Sequence, residues 1–271
     1  MRNYDFYIVP TPIGNLGDIT LRAIEILKQV DIIACEDMRV TQKLLNHYQI
    51  NTKCISYHKF NEKERINLFL NFIKEGKSIA LVSDAGTPLI CDPGSVIVEE
   101  LRKHDISITA LAGANAVITF LSQLSRKDEG FTFVGFMPKM ASQIEDVLNK
   151  HKFSDLVFYE SPNRILKTLD VISKIRPDCH VAVGRELTKV FEEVVCGTVN
   201  EVRKYFAENT VKGEFVAMVY RDEVSDDVNL LDEKIKLLKN KNFKAKEISV
   251  ILSELYNINK NDVYKRVLKL I

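Results

Sequence analysis

Along the first 220 residues, apolar positions come in two alternating rhythms. Short unbroken runs read as buried strands: Tyr7-Ile8-Val9, Ile32-Ile33-Ala34-Cys35, Ile79-Ala80-Leu81-Val82 and Ile106 to Leu111. Ile55-Ser56-Tyr57 reads as a further, weaker one. Between them the apolar residues fall at helical spacing, as in Leu21, Ile24, Ile26-Leu27 and Val30, and again in Val40, Leu44, Leu45 and Tyr48. Asn61 with Glu64 three residues on predicts a capping box at the start of the next helix. Strands alternating with helices predict an α/β fold built on a largely parallel sheet.

A second unit begins near Phe131-Thr132-Phe133-Val134-Gly135-Phe136. Leu156 to Tyr159, Val181 to Val183, Val194 to Val199 and Phe215 to Tyr220 add strands, with a helix from about Asn163 to Lys174. The strands around 181–199 follow one another without a helix, which predicts a mixed sheet. The polar stretch Ser122 to Gly130, ending in Asp128-Glu129-Gly130, is the expected linker. The division expected is 1–122 and 130–222 as two α/β domains, and 232–271 as a basic helical tail.

The tail changes the charge picture. The net charge of +1 over 271 residues hides ten basic and five acidic residues from Asp232 onward, a net of +5, so the remainder is −4. Lys234 to Lys246 holds six lysines and no acid. Ile248, Ile251, Leu252 and Leu255 then share one helical face, Asn257 to Asn261 is a turn, and Val263, Val267, Leu268 and Ile271 form a second stripe. This predicts two short helices around a turn, either a packing appendage with a solvated lysine face or a nucleic-acid contact.

Composition narrows the classes further. With 46% hydrophobic and 28% charged residues the chain is ordinary globular material. It has no apolar run of about 18 residues, and its first residues lead straight into a strand without a signal sequence, so a cytoplasmic protein is expected, with no membrane partner. The five cysteines are scattered without a C-x-x-C pair, and the five histidines show no metal spacing, so neither a disulfide framework nor a metal site is expected.

The chemistry should lie beyond the carboxyl ends of the strands. Three such ends are rich in Gly, Pro and small residues: Pro10 to Asn15, Ser83 to Gly94 and Leu111 to Ala116. Prolines stiffen the first, and small residues let a ligand approach the backbone. Neither a dinucleotide fingerprint nor a P-loop is present. The three loops carry no lysine, so a triphosphate would go unneutralised there. S-adenosylmethionine, with a neutral adenosine, a zwitterionic tail and one sulfonium, fits better. Charged pieces end other strands: Glu36-Asp37-Met38-Arg39, Glu160 to Arg164, Gly184 to Lys189 and Lys212-Gly213-Glu214. Arginines and lysines beside acids near one cleft could hold a phosphodiester backbone.

Six segments carry a resemblance: TPIGNLGDITLRA (11–23), EDMRVTQKLL (36–45), ALVSDAGTPLICDPG (80–94), FYESPNRI (158–165), GRELTK (184–189) and KGEFV (212–216). In this order they resemble the tetrapyrrole-methylase superfamily and, within it, the bacterial ribose methyltransferases of small-subunit ribosomal RNA. Two positions depart from the family pattern: Ala112-Gly113-Ala114 stands in place of a P-G-P loop, and Met38 in place of Thr.

The resemblance implies two α/β domains with S-adenosylmethionine in the cleft between them. It implies a homodimer, and methyl transfer to the 2′-hydroxyl of a decoding-centre cytidine in 16S ribosomal RNA, within the small ribosomal subunit. By strand-end placement and family match, Ile13, Asp84, Gly86, Thr87, Pro88, Ile90, Asn115 and Ala116 are expected at the cofactor, joined by Tyr159 and Phe215 from the second domain. Asp84, Glu160 and Glu186 are the candidate bases; Arg39, Arg185 and Lys212 are the candidate RNA contacts. Two other readings stay open: a methylase acting on a small tetrapyrrole, whose cofactor loops look the same, and a non-catalytic RNA-binding assembly factor.

Overall fold

A computed structural model of the chain describes residues 4–126, 130–222, 228–256 and 259–270. The chain divides into a unit ending at Arg221 and a second unit from Asp222 onward. Asp128 and Glu129 of the expected linker, Asn257 of the expected turn and Ile271 lie outside the described residues.

The first unit holds two five-stranded sheets. The first is built from β1 (Phe6–Ile8), α1 (Leu21–Gln29), β2 (Ile32–Cys35), α2 (Met38–His47), β3 (Lys53–Ser56), α3 (Glu62–Lys74), β4 (Ile79–Val82), α4 (Ser95–Lys103), β5 (Ile108–Ala110) and α5 (Ala116–Leu121). Its order is β3-β2-β4-β1-β5 and every neighbouring pair is parallel. Strand periodicity sorts its side chains onto two faces. Tyr7, Ile33, Cys35, Ala80 and Val82 pack on Ala23, Ile26, Leu27 and Leu45 of α1 and α2. Phe6, Ile32, Ala34, Ile79 and Leu81 pack on Ile66, Phe69, Ile97 and Leu101 of α3 and α4. Burial on both faces explains why these strands read as unbroken apolar runs rather than alternating ones. Neighbours β1 and β4 therefore send their outgoing connections to opposite faces, which opens a crevice at their carboxyl ends.

The second sheet comes from β6 (Phe131–Phe136), α6 (Ala141–Lys150), β7 (Asp155–Glu160), α7 (Ile165–Ile175), β8 (His180–Arg185), β9 (Glu193–Thr198), α8 (Val199–Glu208) and β10 (Phe215–Val219). Its order is β6-β7-β10-β8-β9. The pair β6 and β7 runs parallel and the other pairs are antiparallel, as the helix-free stretch around 181–199 predicts. One face packs on α6, α7 and α8 through Leu148, Leu169, Ile172, Val202 and Phe206. The other face puts Val157, Ala182, Val216 and Met218 against Ile13 and against Val117, Phe120 and Leu121 of α5. That shared core fixes the two sheets to each other. Gly184 makes room for it, because a Cβ there would lie 2.8 Å from the Phe120 ring.

Two capping details differ from expectation. Asn61 precedes α3 but makes no side-chain cap; its Oδ1 accepts the His58 N–H at 2.8 Å and its Nδ2 donates to the Ser56 carbonyl, closing the turn before the helix instead. The capping box occurs at α8, where Thr198 and Glu201 satisfy each other's backbone N–H groups.

The second unit has three helices among the described residues, α9 (Val228–Asn240), α10 (Ala245–Tyr256) and α11 (Lys260–Lys269), where two were expected. Ile235, Ile248, Leu252, Val263 and Val267 form its core. Leu255 and Leu268, expected on the apolar stripes, are 71% and 52% exposed. Asp232 of α9 accepts two hydrogen bonds from Arg266 of α11, at 2.6 and 3.1 Å. Of the six lysines between 234 and 246, Lys236, Lys241, Lys244 and Lys246 are exposed.

Candidate functional site

The three glycine- and proline-rich loops are fastened into one piece. Thr11 and Gly86 exchange backbone hydrogen bonds of 2.9 Å in each direction, and the Thr11 hydroxyl donates to the Ser83 carbonyl. The Thr87 hydroxyl donates to the Ala114 carbonyl at 3.0 Å, tying the second loop to the third. The third meets the first at Gly113, where a Cβ would sit 2.6 Å from Pro10 Cβ. Gly86 has φ +79°, a conformation that side chains disfavour, and its vacant Cβ position faces Ile13. Asn115 caps α5 by accepting the Ile118 N–H.

These loops form one wall of a cleft of about 340 Å³, within the roughly 300–1,000 Å³ usual for small-molecule sites. The opposite wall comes from the second sheet: Tyr159 and Glu160 at the end of β7, Leu187 after β8, and Phe215 and Val216 opening β10. Phe133 and Phe136 set their edges against the Tyr159 ring at centroid separations of 5.0 and 5.7 Å. Burial, with Cys91 and Asp92 nearby, pushes the Tyr159 hydroxyl up to about 12, so it stays a neutral hydrogen-bonding group.

Of the residues expected at the cofactor, Ile13, Gly86, Thr87, Ile90, Asn115, Ala116, Tyr159 and Phe215 line this cleft. Pro88 is buried and Asp84 half-buried, both outside the lining, and Asp84 Oδ1 accepts the Asp37 N–H at 3.0 Å. Lining residues not singled out from the sequence include Cys91, Asp92, Phe136, Leu187 and Glu214. Asp92 was within reach of sequence reasoning, since it lies in the quoted 80–94 segment.

The candidate bases fall into different settings. The Glu160 side chain is wholly buried: it accepts from the Ser161 N–H at 2.8 Å and the Thr168 hydroxyl at 2.7 Å, and pairs with Arg164 at 3.2 Å. Arg164 in turn donates to the carbonyls of Met137 and Pro138, so this group clamps the exit of β6 to α7. Glu186 lies outside the cleft lining and accepts from Lys189 Nζ at 2.8 Å and the Glu214 N–H at 3.0 Å. Burial works against its charge, but Lys189 and the Glu214 N–H hold its carboxyl below the ordinary carboxylate range. Its backbone has φ +51° and Thr188 has φ +65°, strained values for side-chain-bearing residues. The Thr188 hydroxyl accepts the Asn15 N–H at 3.0 Å, so this strained turn latches onto the first cofactor loop.

Asp84, Asp92 and Glu36 behave differently. Burial raises all three carboxyls above their usual range. The Ser83 hydroxyl partly offsets this at Asp92, and the Asp84 charge adds to it. The Asp37 N–H partly offsets it at Asp84, and the charges of Asp84 and Asp92 raise Glu36 further.

The candidate RNA contacts are also unlike one another. Arg39 is 89% exposed and paired with Asp37 at 2.7 Å; that hydrogen bond holds the Asp37 carboxyl down to about 2. Arg185 is half-buried, bonded through Nε to Glu193 and through Nη1 to the Lys212 carbonyl. Lys212 is exposed.

The model of the family described as Tetrapyrrole (Corrin/Porphyrin) Methylases matches residues 5–203. The chain belongs to the tetrapyrrole methylase family. Among curated relatives, the protein named Ribosomal RNA small subunit methyltransferase I of Halalkalibacterium halodurans is 45% identical over 215 residues, covering 79% of this chain and 74% of that relative. The protein of the same name from Vibrio cholerae is 41% identical over 266 residues, 96% of this chain and 92% of its own. Among solved structures, a cobalt precorrin-4 methyltransferase of cobalamin biosynthesis matches at a TM-score of 0.61 with 17% identity, over 79% of this chain and 94% of its own. A diphthine synthase matches at 0.63 with 11% identity, over 79% and 89%. These two show the fold: two α/β domains, to which this chain adds its C-terminal helices.

Tetrapyrrole methylases use S-adenosylmethionine as methyl donor, and the residues of this cleft fit it. Ile13, Ile90, Phe136, Phe215 and Val216 offer an apolar bed for an uncharged ring system, and the Gly86 turn offers close backbone approach. Among the described residues no Lys, Arg or His lines the cleft, while Asp92, Glu160 and Glu214 do. A polyphosphate would meet uncompensated repulsion there, whereas a cationic sulfonium or ammonium would not. Among the described residues no His, Cys, Asp and Glu are grouped so as to hold a metal ion, and no helix is long and apolar enough to cross a membrane.

Proposed function

We propose that the protein methylates small-subunit ribosomal RNA at a ribose 2′-hydroxyl. One observation carries this over methylation of a small tetrapyrrole. The match to the relative named Ribosomal RNA small subunit methyltransferase I covers 96% of this chain, and so takes in most of the forty-residue tail. The family model ends at residue 203. The exposed lysines of that tail support contact with a polyanion, and the cofactor cleft argues against a purely RNA-binding assembly factor. The reading carries with it the 16S decoding-centre cytidine as target, the assembled small subunit as substrate, a cytoplasmic location, and the division at 1–122, 130–222 and 232–271. It also carries a homodimer, for which the exposed Val190 and Phe191 offer apolar area.

The bound cofactor supplies an electrophilic methyl group. The work left to the protein is to hold the hydroxyl in line, exclude water and take the proton. The three fastened loops and the Tyr159 wall supply orientation. Asp92 takes the proton: it lines the cleft, and its raised carboxyl is a stronger base than an ordinary aspartate once ionised. Asp84, one charge behind it, keeps Asp92 basic. Glu160 and Glu186 position loops, since their carboxylates are already committed to donors. Of the expected phosphate contacts, the exposure of Arg39 and Lys212 supports contact with RNA; Arg185 holds the Lys212 backbone.

The deciding experiment incubates the protein with methyl-labelled S-adenosylmethionine and small ribosomal subunits lacking the modification, then maps the label. Label on one ribose of 16S ribosomal RNA supports the reading. Label only on an added tetrapyrrole, or none at all, overturns it.

A further inference from the structure

The turn between β3 and α3 presents an aromatic ring to solvent in a way the cofactor cleft does not explain. Phe60 is 94% exposed. Among the described residues its ring meets one other, the edge of His58 at a centroid separation of 6.1 Å. The turn beneath it is tightly built. Tyr57 is buried and donates its hydroxyl to Glu62 Oε1 at 2.9 Å. Asn61 accepts the His58 N–H and donates to the Ser56 carbonyl. Glu62 Oε1 also accepts the Gly94 N–H at 3.1 Å, which ties the turn to the end of the second cofactor loop. Asp92, which lines the cleft, is only two residues from Gly94, roughly 7 Å of chain. Lys59 and Lys63, on either side of Phe60, are both exposed.

An exposed phenyl gains nothing by staying in water, yet several side-chain hydrogen bonds serve to fix the turn that displays it. A fixed ring needs little further ordering on binding. Its flat face suits an unstacked nucleobase, and flanking ammonium groups suit the phosphates on either side of that base. An acidic peptide would match the lysines but not the ring.

We propose that Phe60, with Lys59 and Lys63, is a stacking platform for an unpaired base of the RNA substrate, close to the nucleotide that enters the cleft. This rests on the RNA-methylating reading above. It adds a recognition point on the first domain, remote in sequence from the basic tail.

The test uses the full chain with S-adenosylmethionine and small ribosomal subunits. Phe60→Ala should raise KM for the particle roughly 5- to 150-fold, the range for loss of one stacked base. Cofactor affinity, read separately by calorimetry, should stay at the wild-type value. Phe60→Trp should restore KM to near wild type, and Phe60→Leu should not. Lys59→Gln with Lys63→Gln should flatten the dependence of log K on log salt by about 0.7 for each phosphate no longer neutralised. An unchanged KM in Phe60→Ala overturns the inference alone, provided wild type methylates the particle. Full rescue by Phe60→Leu also overturns it, since an apolar side chain without a stacking face would then suffice. So would a changed oligomeric state in Phe60→Ala at unaltered KM, which would assign the ring to a second copy of the chain. If wild type transfers no methyl to the particle, the functional reading falls and this inference falls with it.

Discussion

Carboxylates stand on both sides of the cleft, and the two sets are held in opposite ways. On the second-domain side, Glu160 has a hydroxyl, a backbone N–H and a guanidinium, and Glu186 has an ammonium and a backbone N–H. On the first-domain side, Glu36, Asp84 and Asp92 crowd together with few donors, and burial and mutual repulsion raise all three. An acid already held by two or three donors is part of the scaffold, and removing it leaves those donors without their acceptor. A buried acid short of donors is destabilised as an anion, and that cost is the usual mark of a group kept for its chemistry. Position at or after a strand end, which the two sets share, does not distinguish them; partners do.

The sharpest way to break this contrast is to neutralise one acid from each side. Asp92→Asn should lower methyl transfer by roughly 10²–10⁴-fold with both ligands saturating, while thermal stability does not fall. Single-turnover assays beside melting curves read both quantities. A variant that keeps the wild-type rate would move the proton acceptor elsewhere. Glu160→Ala should do the reverse, costing about 3–5 kcal/mol of stability by stranding Arg164, with the rate of the surviving folded protein reduced less than about tenfold. Urea titration checks the first figure; a large rate loss at unchanged stability would make Glu160 a chemical group after all.

The next effect concerns the loops rather than the acids. Gly113→Ala forces a methyl to within 2.6 Å of Pro10 Cβ, so the first and third loops must part. The expected cost is about 1–3 kcal/mol, shared between stability and cofactor affinity. Calorimetry with S-adenosylmethionine should show weaker binding. The same substitution at Gly130, where a Cβ meets nothing within 4 Å, is the matched control and should leave binding unchanged.

How much of the molecule was legible in its sequence follows the range of the interactions. Loop chemistry is local, so Gly86, Thr87, Asn115 and Ala116 could be placed from strand ends together with the family match, and they do line the cleft. Both sheets were visible because burial on two faces leaves unbroken apolar runs. The roles of the acids were not visible, because Glu186 is committed by the Glu214 N–H, 28 residues away, and Glu160 by Thr168 on the following helix. The local hints were the pairings of Glu160 with Arg164 at i,i+4 and of Glu186 with Lys189 at i,i+3. Helix α9 was missed since its lysines read as a solvated stretch, although Ile235 is buried in the core of its unit. Asn61 failed as a cap because its side chain closes the 58–61 turn, a competing local bond that a capping pattern does not encode.

The smallest effect is a difference in pH slope, and it tests the contrast without touching catalysis. Glu36 accepts no hydrogen bond from a described residue, and burial with the charges of Asp84 and Asp92 raises its carboxyl. A carboxyl raised in the folded state binds its proton more tightly there than in the unfolded chain. Its contribution is therefore fully present below the unfolded value and is lost as pH rises through the folded one. Glu186 is lowered, so its contribution is present above the unfolded value and is lost as pH falls through the folded one. Glu36→Gln should thus gain stability over wild type as pH climbs out of the carboxylate range, the gain vanishing in acid. Glu186→Gln should lose stability over the same climb. Urea midpoints of the three proteins, taken across the carboxylate range up to neutrality, give two difference curves of opposite sign. Curves of the same sign would mean that the two sides of the cleft are not electrostatically distinct, and the case for Asp92 over Glu186 as proton acceptor would then rest on cleft geometry alone.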